Sequence, residues 1–154
     1  MIFTIIVPIY NEKKTILKVL KSLNEIKFTK FQKEIIVIDD GSTDGTIDIL
    51  KENKNFFDIL LQNSKNEGKG SAVKLGLKHC NGDYIIFQDA DLEYDPNELI
   101  KFEEIFLKFN ADAIIGSRFN YDKFTRSHSI LNKFGNYILT LVFNIFYNTT
   151  FTDI

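Results

Sequence analysis

Four short runs dominated by isoleucine and valine, at residues 3–7, 35–38, 84–87 and 113–115, punctuate the chain. Their apolar residues do not alternate with polar ones. That is how strands buried on both faces of a parallel sheet read. A weaker fifth run covers 57–61. Helical periodicity fills the intervals. Segment 14–26 carries Ile16, Leu17, Val19, Leu20 and Leu23, with lysines on the other side, and 46–53, 71–79 and 97–109 behave similarly. Strand alternating with helix gives βαβ units and a doubly wound α/β sheet. A length of 154 residues predicts one domain with room for a real core.

The last third differs. Residues 121–129 are polar and read as loop. Residues 131–147 read as an aromatic-rich helix with Phe134, Tyr137, Leu141, Phe143, Phe146 and Tyr147. Its asparagines argue against a membrane span. It is either a core helix or one lying against lipid or a partner.

Several function classes are disfavoured. The formal net charge of −2 gives no bulk attraction for nucleic acid, so no nucleic-acid partner is expected. The single cysteine, Cys80, cannot form an internal disulfide or a thiolate zinc cluster, and reads as a buried, inert thiol. His79 and His128 do not have metal-ligand spacing. The N-terminal apolar segment lacks a basic n-region and a cleavage site, so it does not read as a signal peptide. No uninterrupted apolar stretch reaches the ~18 residues that a spanning helix needs. These features point to the cytoplasm, at most on the cytoplasmic face of a membrane.

The unusual polar residues fall where the predicted strands end, the edge at which open α/β sheets bind ligands. Strand one ends in Pro8-Ile9-Tyr10-Asn11-Glu12, strand two in Asp39-Asp40-Gly41-Ser42-Thr43-Asp44-Gly45, the 84–87 strand in Asp89-Ala90-Asp91, and the last in Gly116-Ser117-Arg118. In extended chain Asp89 and Asp91 point to one side. Two carboxylates so placed repel unless a cation neutralises them. An oxygen-only set suits Mg²⁺ or Mn²⁺, with a phosphate-bearing ligand completing the coordination. The plain alternative is a solvated turn with capping roles. Asp95-Pro96-Asn97-Glu98 has a structural explanation, a capping box with proline at N1. Glu93 is open between solvent and the outer shell of a metal.

Two loops can be tested against stock motifs. With Asp40 as the first position of a calcium loop, the twelfth is Lys51, where a bidentate glutamate is needed. The segment reads better as a strand end and a helix cap, with Asp40 able to accept from a nucleobase or ribose, and Thr43 or Asp44 capping. Asn66-Glu67-Gly68-Lys69-Gly70-Ser71 fails as Walker A because Asn63 stands at the early glycine. It fails as G-x-G-x-x-G because Val73 replaces the last one. A flexible loop opening a helix, with Lys69 near phosphate, remains.

Taken in order, VPIYNE (7–12), IDDGSTDGT (38–46), NEGKGSAVKLG (66–76), QDADLEYDP (88–96) and GSR (116–118) resemble a family 2 glycosyltransferase. Within that family, NKFGN (132–136), leading to Leu141 and Thr152-Asp153, resembles the dolichol- or polyprenyl-phosphate mannosyl- and glucosyltransferases. The resemblance implies a GT-A fold: a Rossmann-like, mostly parallel sheet with helices on both faces, spanning 1–154 as one catalytic domain. It implies a GDP- or UDP-linked sugar donor, Mg²⁺ or Mn²⁺, and transfer with inversion. Carried over by position, Pro8, Tyr10, Glu12, Ile38 and Asp40 line the nucleoside pocket. Asp89, Ala90 and Asp91 hold ribose, metal and diphosphate. Arg118 faces donor phosphate or sugar, and Arg126 binds a phosphate on donor or acceptor.

The chemistry agrees with these residue types. Breaking a sugar–phosphate bond leaves a diphosphate with growing negative charge, which Arg118 and a metal at Asp89 and Asp91 stabilise. A lipid-phosphate acceptor is already anionic and needs little base assistance, whereas a sugar hydroxyl needs a positioned carboxylate. The family pattern continues beyond Thr152-Asp153-Ile154, so truncation at the C-terminus is expected, with completion by a partner chain or second copy as one consequence. The leading expectation is hexose transfer to polyprenyl phosphate, with contact at a membrane surface. The alternatives are a saccharide acceptor in cell-surface polysaccharide synthesis and a non-catalytic nucleotide-sugar-binding module.

Overall fold

The computed structural model describes residues 1–109, 113–114 and 130–151. The chain divides into two compact units, Met1–Phe109 and Asn110–Ile154. The first is built from β1 (Ile2–Ile9), α1 (Ile16–Glu25), β2 (Gln32–Asp39), α2 (Thr46–Glu52), β3 (Ile59–Gln62), α3 (Lys69–Leu77), β4 (Tyr84–Phe87) and α4 (Leu99–Phe109). Its sheet is wholly parallel, in the order β3-β2-β1-β4.

Chain direction across the sheet reverses at β1: β2 and β3 extend to one side, and β4 returns to the other. Right-handed crossovers therefore place α1 and α2 on one face and α3 on the other. Accordingly α1 contacts α2, while α3 lies on β1 and β2. Gly76 makes that approach close, since a Cβ there would stand 2.9 Å from Ile38 Cδ1. The reversal leaves a crevice between the carboxyl ends of β1 and β4.

The central strands are buried as their sequence demands. Residues 3–9 of β1 and 35–39 of β2 are inaccessible. β4 is different: Phe87 is 54% exposed and Ile85 38%, so this strand is not buried on both faces among the described residues. Ala113 and Ile114 are not in a strand, and Ile115 lies outside the described residues. The weak run at 57–61 is displaced to Ile59–Gln62 because Asp58 is used at the strand start, where its carboxylate accepts from Ile35 N at 2.7 Å. Cys80 is half-buried, not buried; its Sγ donates to Leu77 O at 3.2 Å.

Aromatic rings close the amino end of the sheet. Phe3 stacks on Phe31 with centroids 4.1 Å apart, and Tyr84 meets Phe106 of α4 at 4.2 Å. The charged residues singled out above lie at the opposite end.

In the second unit, α5 (Ile130–Tyr147) ends at Asn148, whose φ of 50° is left-handed, a conformation asparagine tolerates at helix ends. The chain then turns back on Asn144, which accepts from Phe151 N at 2.9 Å and donates to Phe151 O at 2.8 Å. The helix exposes Phe134, Tyr137, Leu139, Ile145, Phe146 and Tyr147. No helix among the described residues is long and apolar enough to cross a membrane.

Candidate functional site

The carboxyl ends of three strands and the start of α3 enclose a cleft of about 310 Å³. β1 contributes Pro8, Ile9, Tyr10 and Glu12; β2 contributes Asp40; Asn66, Gly68, Lys69 and Ala72 come from the loop and first turns of α3; Asp89, Ala90 and Asp91 follow β4.

Loop geometry begins with two left-handed residues. Asn11 has φ 57°, donates its backbone N–H to Ser42 Oγ at 2.9 Å, and accepts from Thr43 N at 2.8 Å through its side chain. This ties the end of β1 to the loop after β2. Gly41 has φ +73°, and a Cβ there would meet the backbone of Lys65 and Asn66 at 2.5–2.8 Å. Glycine is thus required both for conformation and for backbone approach.

That approach places Asp40 under the 66–68 loop. Asp40 is 3% exposed and accepts from Asn63 Nδ2 at 2.7 Å, Glu67 N at 3.1 Å and Gly68 N at 2.8 Å. Both carboxylate oxygens therefore already hold protein donors, and the residue anchors the loop that carries Lys69. Asp44 does the capping anticipated near Thr43: it accepts from Thr46 N at 2.9 Å and from Lys13 N at 3.1 Å. Burial alone raises its carboxyl, but the hydrogen bonds from Thr46 and Lys13 outweigh that and bring it below the ordinary value.

The turn after β4 is pinned by Gln88, which is 2% exposed and donates to Asp89 O at 3.0 Å and more weakly to Tyr94 O at 3.4 Å. Leu92 takes φ 64°, unusual for a bulky residue and found where surrounding structure imposes it. Asp91 Oδ1 accepts from Glu93 N at 2.9 Å; its Oδ2 accepts from no described residue. Asp89 Oδ1 lies 2.5 Å from Lys69 Nζ. Asp95 caps the following turn, accepting from Asn97 N at 3.0 Å.

Of the residues anticipated from sequence, Pro8, Tyr10, Glu12, Asp40, Lys69, Asp89, Ala90 and Asp91 line this cleft. Ile38 does not. It is wholly buried with Ile6, Ile36 and Ala72, because a side chain one residue before Asp39 points into the sheet's packed face. Arg118 and Arg126 lie outside the described residues. Sequence reasoning placed Ile9 at the strand end and Asn66 and Gly68 in the loop before α3 without assigning them to the cleft, and gave Ala72 no role there. It also began α3 at residue 71, whereas the helix opens at Lys69 and so fixes the lysine on its first turn.

The donor set suits a divalent cation in part. No group of three or more His, Cys, Asp or Glu that could hold a metal occurs among the described residues. Yet Asp89 already meets a positive group, the Lys69 ammonium, so this carboxylate is accessible to a cation. Asp91 keeps an oxygen for a ligand. Two carboxylates with a ligand's phosphate oxygens fit the open coordination typical of Mg²⁺ at phosphate sites.

Known proteins share this architecture. The family Glycosyl transferase family 2 matches residues 4–152. A poly-β-1,6-N-acetyl-D-glucosamine synthase of Staphylococcus aureus is 34% identical over 133 residues, covering 84% of this chain and 31% of the synthase. S. aureus TarS 1–349 in complex with UDP-GlcNAc superposes with a TM-score of 0.61 at 30% identity, over 79% of this chain and 39% of TarS. The mannosyltransferase PcManGT from Pyrobaculum calidifontis, in complex with GDP-Man and Mn²⁺, superposes with a TM-score of 0.54 at 29% identity, over 62% of this chain and 29% of PcManGT. The chain thus spans less than half the length of each of these three proteins. The parallel sheet, the site at its carboxyl edge and the match over 4–152 converge: the chain belongs to glycosyl transferase family 2 and has the GT-A fold.

Proposed function

We propose that residues 1–154 belong to one catalytic domain of a metal-dependent, inverting glycosyltransferase. It takes a hexose from a GDP- or UDP-linked donor and passes it to a polyprenyl phosphate at the cytoplasmic face of a membrane. The observation that carries this reading is the cleft at the β1–β4 crevice, where Asp89 and Asp91 face the Lys69 end of α3. Nucleotide-sugar complexes of TarS and PcManGT support the donor class.

In this reading Pro8, Tyr10 and Glu12 border the nucleoside. Asp40 acts by holding the 66–68 loop in place and so shaping the cleft wall. Asp89 and Asp91 hold Mg²⁺ or Mn²⁺, and Lys69 meets the diphosphate. When bound, the metal supplies positive charge that stabilises the departing nucleoside diphosphate. Arg118 and Arg126 keep the phosphate-binding roles that the family resemblance gives them. The exposed apolar residues of α5 suit a lipid-phosphate acceptor.

A second reading keeps the donor and changes the acceptor to a saccharide of a cell-surface polysaccharide. It is favoured by the resemblance to the poly-β-1,6-N-acetyl-D-glucosamine synthase. Incubation with GDP-mannose, UDP-glucose or UDP-N-acetylglucosamine and Mn²⁺, with either a short polyprenyl phosphate or an oligosaccharide, separates the two. Labelled sugar should appear in the polyprenyl product. Transfer only to the oligosaccharide establishes the second reading. Donor binding with no turnover on any acceptor overturns catalysis by this chain and leaves a binding module.

A further inference from the structure

Lys69 stands at an unfavourable place for a cation. It opens α3, whose N-cap is Gly68, whose cap has no side-chain hydrogen bond, and whose first turn has no acidic residue. The positive end of the helix macrodipole opposes a lysine there. Its ammonium reaches across to Asp89, with the lysine side chain 59% and the aspartate 31% exposed. An ion pair this exposed is weak, about one- to fivefold in an equilibrium constant, so little holds the lysine permanently. A lysine side chain is a flexible stem with three rotatable donors, and can change partners without backbone movement.

We propose that Lys69 is a tethered counter-cation. It neutralises Asp89 while the cleft holds no donor, and moves to the donor's diphosphate when a divalent cation joins Asp89 and Asp91. This rests on the reading of the cleft as a nucleotide-sugar site and adds a coupling to it. With metal alone, Lys69 loses its carboxylate and is left beside a dication with no anion to meet. With metal and diphosphate together, Lys69 exchanges one anionic partner for another. Metal therefore binds weakly by itself and much more tightly with nucleoside diphosphate. By linkage, metal strengthens diphosphate binding by the same factor. The exchange also keeps Asp89 from standing uncompensated in a cleft that Glu12, Asp40 and Asp91 line as well.

The test is Mn²⁺ binding to the full chain, followed by the electron paramagnetic resonance of free Mn²⁺, without nucleotide and with GDP or UDP. Lys69→Met should bind Mn²⁺ alone about two- to fivefold more tightly than wild type, because a competing cation is gone. The strengthening by nucleoside diphosphate should shrink by at least that factor. Lys69→Arg, which keeps the charge, should retain most of the coupling. Lys69→Gln repeats the neutral variant with a polar stem, and thermal unfolding checks that each is folded. Unchanged or weaker Mn²⁺ binding by both neutral variants, with wild type still binding Mn²⁺ with nucleotide, overturns the exchange alone. Absence of Mn²⁺ binding to wild type with either nucleotide overturns the site reading, and the exchange with it.

Discussion

Glu103 illustrates how a charge can be buried without a counter-ion among the described residues. It is 4% exposed on α4 and accepts from Thr29 N, Lys30 N and Phe31 N at 2.6–3.0 Å, and from Thr29 Oγ1 at 3.0 Å. Burial pushes the carboxyl up, but these donors together outweigh it and bring it below its ordinary value of 4.5. The folded state therefore prefers the ionised form. Its contribution is complete above pH 4.5 and is lost as pH falls through the depressed folded value. Glu103→Gln should cost about 1–3 kcal/mol at pH 7, since an amide cannot accept from so many donors. In urea melts of both proteins the deficit should shrink between pH 5 and pH 3; a deficit constant across that range refutes the ionised-acceptor account. At the cleft, Gly41→Ala combines a left-handed φ with a clash against the Lys65–Asn66 backbone. A loss of about 1–3 kcal/mol is expected, together with weaker binding of nucleotide because the Asp40-anchored loop shifts. Wild-type melting and affinity in Gly41→Ala would show that the loop does not depend on this approach.

Elements were legible where their signal is local. The Ile/Val runs gave β1, β2 and β4, and the periodicity of 14–26 gave α1. Helix starts were less so. α1 begins at Ile16 because Glu12 O accepts from both Thr15 N and Ile16 N, forming a turn before the helix proper. Strand order left no local mark, since nothing in β4 states that it will lie beside β1. Nor does the run 57–61 reveal that Asp58 is spent on Ile35. The cleft was half legible: carboxylates at strand ends are visible, whereas Asn66 and Gly68 matter through a loop whose position is set by Gly41 and Asp40, far away in sequence. The end of α1 also depends on a distant residue. Lys33 of β2 donates to Leu23 O and Asn24 O at 2.6 Å and to Ile26 O at 2.8 Å. Burial pulls its ammonium below the ordinary lysine value, with Asp58 partly offsetting this. Lys33→Met should leave those carbonyls short of donors and cost about 1–3 kcal/mol. Hydrogen exchange should then accelerate in the last turn of α1 before the rest of the helix; unchanged protection there would mean that water replaces the ammonium at no cost.

At the scale of the whole chain, the cleft joins three strand ends and α3, so a ligand bound there stabilises elements that are far apart in sequence. Such a ligand raises stability by mass action, about 2.7 kcal/mol at a hundredfold excess over its dissociation constant. For a chain of this size that corresponds to roughly 5–10 °C in the unfolding midpoint. GDP or UDP with Mn²⁺ should produce a shift of this order, and nucleotide alone a smaller one. Asp91→Asn discriminates between a metal ligand and a structural turn. Asparagine keeps an oxygen able to accept from Glu93 N, so the turn after β4 should survive and the unliganded midpoint should change by only about 0.5 kcal/mol equivalent. The charge that favours a divalent cation is removed. The Mn²⁺-dependent part of the shift should therefore vanish, while the nucleotide-only part remains. Retention of the full Mn²⁺-dependent shift by Asp91→Asn would place the metal elsewhere and reduce Asp91 to the geometry of its turn.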